Sequence, residues 1–221
     1  MIKKLIRIFL LTSLIVVGTL GIILTAASSD FMGGQAVFLF FTVQSNILII
    51  LMSLITLIDE IVTLVTKKSF MNQILMLIKY IGTIAITITF VVFFTMLAPL
   101  MGMDYVLSFN NFSLHLIVPV IAIVDFFLFD KAIKLSYLKS LLGLAMPLYY
   151  VNFVYIGVPL GFRYAPDTKF PYFFLDYETN GFLFEKGFGI IPWIFVLLIG
   201  MSGLCLLFAF LMKLRQKHAE N

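Results

Sequence analysis

The stretch AVFLFFTVQSNILIILMSLITLI, residues 36–58, decides the fold of this chain. Its 23 residues exceed the roughly 20 apolar residues that an α-helix needs to cross a bilayer. Across all 221 residues, 62% are hydrophobic and 12% are charged, about half the charged fraction of roughly 25% in soluble domains. The sequence therefore predicts an all-α integral membrane protein.

Five other apolar runs have a similar length, so we predict a polytopic protein with six transmembrane helices in one bundle. The first run is predicted to be a retained helix, because it is long for a signal peptide and no small-residue cleavage site follows it. The longest connection, 159–189, is rich in Pro, Gly and aromatic residues, and we expect an ordered loop across the outer mouth of the bundle. The predicted domain is 1–221, with spans at about 8–27, 36–58, 74–97, 112–129, 141–158 and 190–212.

The basic residues of the predicted loops and helix ends fall mostly on one side of the membrane. By the positive-inside rule, this bias predicts that both termini are cytoplasmic. The formal net charge of +4 is then explained by topology, and we expect no nucleic-acid partner. The inner set is Lys3, Lys4, Arg7, Lys67, Lys68, Lys79, Lys131, Lys134, Lys139, Lys213, Arg215 and Lys217, and the outer set is Arg163, Lys169 and Lys186.

The sequence contains no pattern that is typical of a metal or cofactor site. It has no CxxC, HExxH or P-loop motif, and its two histidines are far apart. The one cysteine, Cys205, lies inside the sixth span, where we expect it to pack against its neighbours. We therefore predict neither a metal nor a cofactor.

Polar residues interrupt the second span. Thr42, Ser45 and Asn46 are spaced i, i+3 and i+4 and therefore share one helix face, whereas Gln44 points elsewhere. Thr and Ser can bond back to their own helix, but the amide of Asn46 needs a partner from another helix. The span runs from outside to inside, so this face lies about two turns below the outer surface.

The fourth span places His115 about one turn below the same surface. Pro119 cannot donate a hydrogen bond to the carbonyl of His115, so we expect a kink there. Asp125 is too far along the helix to orient the imidazole. Together with Asp130, it is predicted to pair with Lys131, Lys134 or another helix. The candidates for orienting His115 are Asp104, Asp176, Asn110, Asn111 and Asn152.

The fifth span delivers Tyr149, Asn152 and Tyr155 to the outer half, at steps of three residues, after a predicted kink at Pro147. Polar groups from three helices thus meet at one depth among apolar walls, which predicts a pocket for a molecule with a long apolar part. A histidine is a natural base for a threonine hydroxyl. Thr42 and His115 are the pair at matching depth, with Asn46 or Asn152 as a candidate donor to an oxyanion.

Three motifs in this order resemble the androgen-induced transmembrane hydrolase family and its bacterial six-span relatives: FFTVQSN at 40–46, NFSLHLIVP at 111–119 and FPYFFLDY at 170–177. The resemblance implies a threonine/histidine hydrolase of hydroxy-fatty-acid esters, located in a bacterial plasma membrane. It implies Thr42 as nucleophile and His115 as base, surrounded by Asn111, Pro119 and the segment 170–176, which contains Tyr172 and Asp176.

The chain departs from the animal members of that family at two points. They carry a carboxylate one turn after the threonine, where this chain has Ser45 followed by Asn46, and their spacing from histidine to proline is one residue longer. These departures leave the substrate and the group that orients the imidazole open.

Three functions fit the sequence. The first is a membrane-embedded hydrolase of lipid esters that uses Thr42 and His115 in an outer-leaflet pocket. The second is a carrier or binding protein for a small amphiphile, and the third is a structural or regulatory membrane subunit in which the polar residues only join helices. The expected partners are membrane lipids and an amphiphilic small molecule, and the oligomeric state is open.

The predicted topology can be tested by cysteine labelling in intact cells. In a Cys205→Ser background, we expect a membrane-impermeant maleimide to label Lys186→Cys in the outer loop and not Lys68→Cys in an inner loop. Permeabilised cells provide the control, since both positions should then react. Labelling of only Lys68→Cys in intact cells would reverse the assigned orientation.

Overall fold

The computed structural model describes residues 2–28, 34–130 and 135–220, with the side chains of 218–220 left out of the description. Within these ranges, six helices are long and apolar enough to cross a membrane, which confirms the predicted all-α architecture. They are α1 Ile2–Ala27, α2 Phe41–Thr66, α3 Gln73–Leu100, α4 Phe109–Phe129, α5 Tyr137–Gly157 and α6 Ile190–Lys217.

The helix boundaries differ from the predicted ones for local reasons. The second apolar run begins as a 3-10 turn, Gly34–Leu39, and α2 starts only after the extended residue Phe40. The third and fourth helices each contain a π-helical turn, Phe93–Leu97 and Ser113–Ile117. Hydropathy places the apolar run correctly but does not report these changes of helical pitch.

The first four helices form one group in which α1 packs against α2 and α4, and α3 packs against the same two helices. Small residues allow the close approach of α1: a Cβ atom on Gly21 would lie 2.9 Å from Leu114 Cδ2. Helix α5 packs on α3, and α6 meets α5 along the N-terminal part of α5, Tyr137–Leu144. The C-terminal part of α5 has few contacts with α6, so these two helices diverge toward the end of the bundle that carries the loop 158–189.

A buried network of charges joins all four helices of this group. Arg7 of α1 binds Glu60 of α2 at 2.7 Å and Asp125 of α4 at 2.9 Å, and it also pairs with Asp130. Lys79 of α3 pairs with both aspartates, at 2.8 Å for Asp130 Oδ2. Lys79 and Asp125 are 2% and 1% exposed, so each charge depends on its partners for stabilisation.

The sequence predicted that the two aspartates pair with nearby lysines of the following loop or with another helix, and the structure shows partners on other helices. Asp125 and Asp130 pair with charges on other helices, Arg7 and Lys79. The alternative partners, Lys131 and Lys134, lie outside the described residues.

The loop 158–189 packs over the start of α2. Tyr164 and Tyr172 contact the ring of Phe40 edge-on, with centroid separations of 5.2 and 6.3 Å. A short helix, Tyr177–Asn180, is capped by Asp176, whose Oδ1 accepts hydrogen bonds from the amides of Glu178 and Thr179. The loop therefore forms a cover built on aromatic packing.

The charged network makes a stability prediction. Asp125→Asn should destabilise the bundle by about 3–5 kcal/mol, because it removes the buried carboxylate that binds both Arg7 and Lys79. Thermal unfolding in detergent measures the change. The exposed Asp167 of the loop supplies a matched control, since Asp167→Asn should unfold like wild type. Equal stability of the two variants would contradict the assigned role of the network.

Candidate functional site

Thr42 and His115 meet in the structure. Thr42 lies in the first turn of α2 and His115 in the π-helical turn of α4, and Thr42 Oγ1 is 3.2 Å from His115 Nε2. The imidazole is 7% exposed, whereas Thr42 is half-buried. The two side chains are therefore within hydrogen-bonding distance in a largely dry environment.

The partner on the other side of the ring fixes the tautomer of a neutral His115. Its Nδ1 lies 3.0 Å from the main-chain oxygen of Asn111. A carbonyl oxygen only accepts hydrogen bonds, so Nδ1 carries the proton and Nε2 presents its lone pair to Thr42. The Thr42 hydroxyl then donates to Nε2, which is the arrangement that a general base requires.

The ring plane of His115 is held by Phe93. The two rings stack with centroids 3.7 Å apart and an interplanar angle of 19°. Phe93 begins the π-helical turn of α3, so both rings of the stack come from widened turns. Such turns are often found at functional sites because they shift side chains out of the regular helical register.

Asn46 finds the cross-helix partner that its amide requires. In the π turn, Val118 N–H bonds to the carbonyl of Ser113, and Pro119 has no N–H to offer to Leu114. Asn46 Nδ2 donates instead to the Leu114 carbonyl at 3.2 Å and to the Thr42 carbonyl at 2.8 Å. The sequence predicted a proline-released carbonyl on His115, whereas the one bound by a side chain belongs to Leu114.

The other polar residues of FFTVQSN divide as expected. Ser45 Oγ lies 2.8 Å from Thr89 Oγ1 of α3, so the Thr42 face points into the bundle. Gln44 leaves that face, and its Nε2 donates to the Phe38 carbonyl at 3.1 Å. Gln44 thus holds the turn that precedes α2.

Two clefts meet at Thr42. Their cavity volumes are about 90 and 160 Å³, below the roughly 300–1,000 Å³ of sites that enclose a drug-sized molecule. Thr42, Phe93, Leu97 and Tyr172 line both clefts. Thr42 therefore borders a cleft on each of two sides.

The first cleft is apolar and lies between the diverging outer halves of α5 and α6. Its walls include Pro147, Tyr150 and Val151 of α5 and Leu197 and Met201 of α6. The second cleft lies between α1–α4 and the loop. It contains His115 and the more polar residues Thr25, Tyr105 and Asn111.

Tyr172 brings a hydroxyl group from the loop to the neighbourhood of Thr42. It lines both clefts together with Thr42, and its hydroxyl lies near the Thr42 side chain and the start of α2. Burial raises the pKa of the Tyr172 hydroxyl to about 12. The phenol therefore keeps its proton over the whole physiological pH range and can donate it in a hydrogen bond.

Some residues that the sequence assigned to the site lie elsewhere. Tyr149 and Asn152 are exposed on the outside of α5, and Asn152 bonds only to the Leu148 carbonyl of its own helix. Tyr155 donates to the Leu175 carbonyl at 3.2 Å and anchors the loop. Asp176 caps the short loop helix, so neither it nor Asn152 orients His115.

The residue that orients His115 is Asn111, through its main chain. Its side-chain amide donates to the Tyr105 carbonyl and to Ser108 Oγ.

Two contributors were missed by the sequence reasoning, Phe93 and Tyr150. Phe93 is one of 25 phenylalanines, and no sequence pattern distinguishes it from the others. Tyr150 is adjacent to Tyr149 and lies on a different face of α5 from the predicted set of Tyr149, Asn152 and Tyr155.

Within the described part of the chain, no group of three or more His, Cys, Asp or Glu side chains is placed to hold a metal ion. Comparison of the chain with models of protein families, with characterised proteins and with solved structures found no match. The chemistry of the site is therefore argued from Thr42, His115 and their surroundings.

The contact between Asn46 and Leu114 makes a second stability prediction. Asn46→Leu should cost about 1–3 kcal/mol, because the Leu114 carbonyl would be left without a donor in an apolar interior. Unfolding in detergent measures this loss. Asn152→Leu is the matched control, since that amide faces outward and should be replaceable at little cost. A loss that is equal in both variants would contradict the contact.

Proposed function

We propose that this protein is a membrane-embedded hydrolase of lipid esters that uses Thr42 as nucleophile and His115 as general base. One observation carries the proposal: Thr42 Oγ1 lies 3.2 Å from His115 Nε2, while Asn111 holds the proton on Nδ1. This combination of nucleophile, base and orienting group is the constellation that activates a hydroxyl in acyl transfer. The resemblance of the three sequence motifs to a threonine/histidine hydrolase family points in the same direction.

The proposed reaction proceeds through an acyl-enzyme. Thr42 Oγ attacks the ester carbonyl while its proton moves to His115 Nε2, and the tetrahedral intermediate collapses as that proton passes to the departing alcohol oxygen. A water molecule, deprotonated by His115, then attacks the acyl-threonine and releases the carboxylic acid. The Asn111 carbonyl keeps its hydrogen bond to Nδ1 throughout, and it stabilises the imidazolium that forms transiently.

The surroundings of Thr42 favour a lipid substrate. The cleft between α5 and α6 is lined almost entirely by apolar side chains, which suits an acyl chain. Because the outer halves of these helices diverge, a lipid can reach Thr42 sideways from the bilayer. In the proposed topology both termini are cytoplasmic, the membrane is a bacterial plasma membrane, and the site faces the outer leaflet.

The proposal can be tested with purified protein in detergent or nanodiscs. Thr42→Ala and His115→Ala should each lose about 10³-fold or more in ester hydrolysis, because neither the nucleophile nor the base has a substitute nearby. Thr42→Ser retains a hydroxyl and should keep measurable activity. Release of fatty acid from a panel of neutral lipid esters, and labelling by a fluorophosphonate probe, provide the readouts.

Thr95→Ala is the matched control for this test. Thr95 is an exposed threonine of α3 whose hydroxyl bonds back to the Val91 carbonyl, so its removal should leave hydrolysis unchanged. Undiminished labelling of Thr42→Ala would refute the nucleophile assignment. Uptake of an amphiphile into proteoliposomes without any product would favour a carrier instead.

A further inference from the structure

The start of α2 leaves three backbone N–H groups without a helical partner. These are the amides of Phe41, Thr42 and Val43, which would need the carbonyls of the residues four positions earlier. The chain turns at Phe40, whose φ of −82° and ψ of 141° are extended, and no side chain caps the helix there. The three earlier carbonyls are engaged by other donors: Val37 by Phe40 N–H, Phe38 by Gln44 Nε2 and Leu39 by Tyr150 Oη.

These amides lie at the positive end of a 26-residue helix and largely out of contact with water. Phe41 and Val43 are 7% and 2% exposed. The N–H groups at the start of a helix favour negative charge, so this turn is suited to receive a partially or fully negative oxygen. The nucleophile belongs to the same turn, so any oxygen attached to a carbon that Thr42 attacks would be close to these donors.

Tyr172 adds a side-chain donor to the same place. Its hydroxyl lies near the Thr42 side chain and the start of α2, and Tyr172 lines both clefts together with Thr42. Because burial holds the pKa of this hydroxyl at about 12, the group remains a donor over the working range of an enzyme. Stacking on Phe174, at a centroid separation of 5.1 Å, fixes the ring.

A second buried hydroxyl close to this site lacks a hydrogen-bond partner among the residues that the structure describes. Tyr164 is fully buried, and its Oη has no hydrogen-bond partner within the described part of the chain. The ring rests against Phe40, and the hydroxyl lies near those of Tyr150 and Tyr172. Native proteins rarely leave a buried hydroxyl unsatisfied unless water or a ligand completes it.

We propose that the first turn of α2 and the hydroxyl of Tyr172 form the oxyanion hole for the reaction at Thr42. This inference rests on the proposed hydrolase function and gives Tyr172 a catalytic role in it. When Thr42 attacks, the π electrons of the ester carbonyl move onto its oxygen, and the donors stabilise that charge. They release it when the carbonyl re-forms and the alcohol departs.

The assignment replaces the two asparagines that the sequence suggested for this role. Both N–H groups of the Asn46 amide are used, one by the Thr42 carbonyl and one by the Leu114 carbonyl. Asn152 is exposed on the outside of α5. Neither amide is free to face an oxygen at Thr42.

Tyr172→Phe tests the proposal, since it removes one donor and keeps the aromatic packing. For an ester that the wild type hydrolyses, kcat should fall by about 100-fold while KM stays unchanged, as is typical of losing one oxyanion donor. A lipid trifluoromethyl ketone, which forms an oxyanion adduct with the nucleophile, should lose inhibitory potency by a similar factor. The corresponding alcohol, which forms none, should bind equally to both proteins.

Tyr177→Phe is the control, because Tyr177 packs in the same loop against Phe170 and Phe182, away from Thr42. It should keep the wild-type kcat. If Tyr172→Phe does not fold, 3-fluorotyrosine at position 172 changes the acidity of the donor without changing its shape, and it should alter kcat and not KM.

The outcomes separate this inference from the function on which it rests. If Thr42→Ala abolishes hydrolysis but Tyr172→Phe keeps the full kcat or raises only KM, the oxyanion assignment is wrong and the hydrolase stands. An identical kcat with tyrosine and 3-fluorotyrosine would have the same meaning. If wild-type protein hydrolyses no ester and resists the fluorophosphonate, both proposals are overturned.

Discussion

Pro119 removes a backbone hydrogen bond from α4, and the hydrocarbon interior offers no water to replace it. The arrangement of the outer half of the bundle depends on how this loss is compensated. The helix widens into a π turn, and the carbonyl of Leu114 is bound by the side chain of Asn46 on α2. That cross-link ties α4 to α2 one helical turn below Thr42, and it brings His115, the next residue, against the threonine hydroxyl.

The inner half of the bundle is held by a different interaction. Arg7, Lys79, Asp125 and Asp130 form a buried charged network that fixes α1, α3 and α4 to one another, with Glu60 adding α2. Rigid fixation at this end allows α5 and α6 to diverge at the other end without loosening the first four helices. The protein thereby combines a fixed Thr42–His115 pair with an apolar cleft between α5 and α6.

The sequence was sufficient for the features that depend on hydropathy and helical spacing. Six spans, the inward face of Thr42, Ser45 and Asn46, and the need of Asn46 for a distant partner all follow from residue type and periodicity. The meeting of Thr42 with His115 followed from matching depth in two helices.

The features that the sequence did not predict depend on helical pitch and rotation. A π turn shifts the register by one residue, so the carbonyl bound by Asn46 is that of Leu114 and not that of His115. On α5, the choice between adjacent tyrosines depends on how the helix is rotated, and the buried one is Tyr150. The orientation of His115 by a main-chain oxygen has no sequence signal at all, because every residue carries a carbonyl.

The hydrogen-bond pattern around Thr42 separates donors from acceptors. On the α4 side, the Asn111 carbonyl makes His115 present a lone pair, so that side can take a proton. On the side of the α2 start and the loop, the backbone amides can only donate, and the Tyr172 hydroxyl keeps its proton and can donate it as well. In the proposed reaction, Thr42 Oγ1 attacks a bound carbonyl compound and loses its proton to His115 on one side. The carbonyl oxygen of the compound gains negative charge on the other side. A site that merely held an amphiphile would need hydrogen-bonding groups but not this separation, and for this reason we propose catalysis and not binding alone.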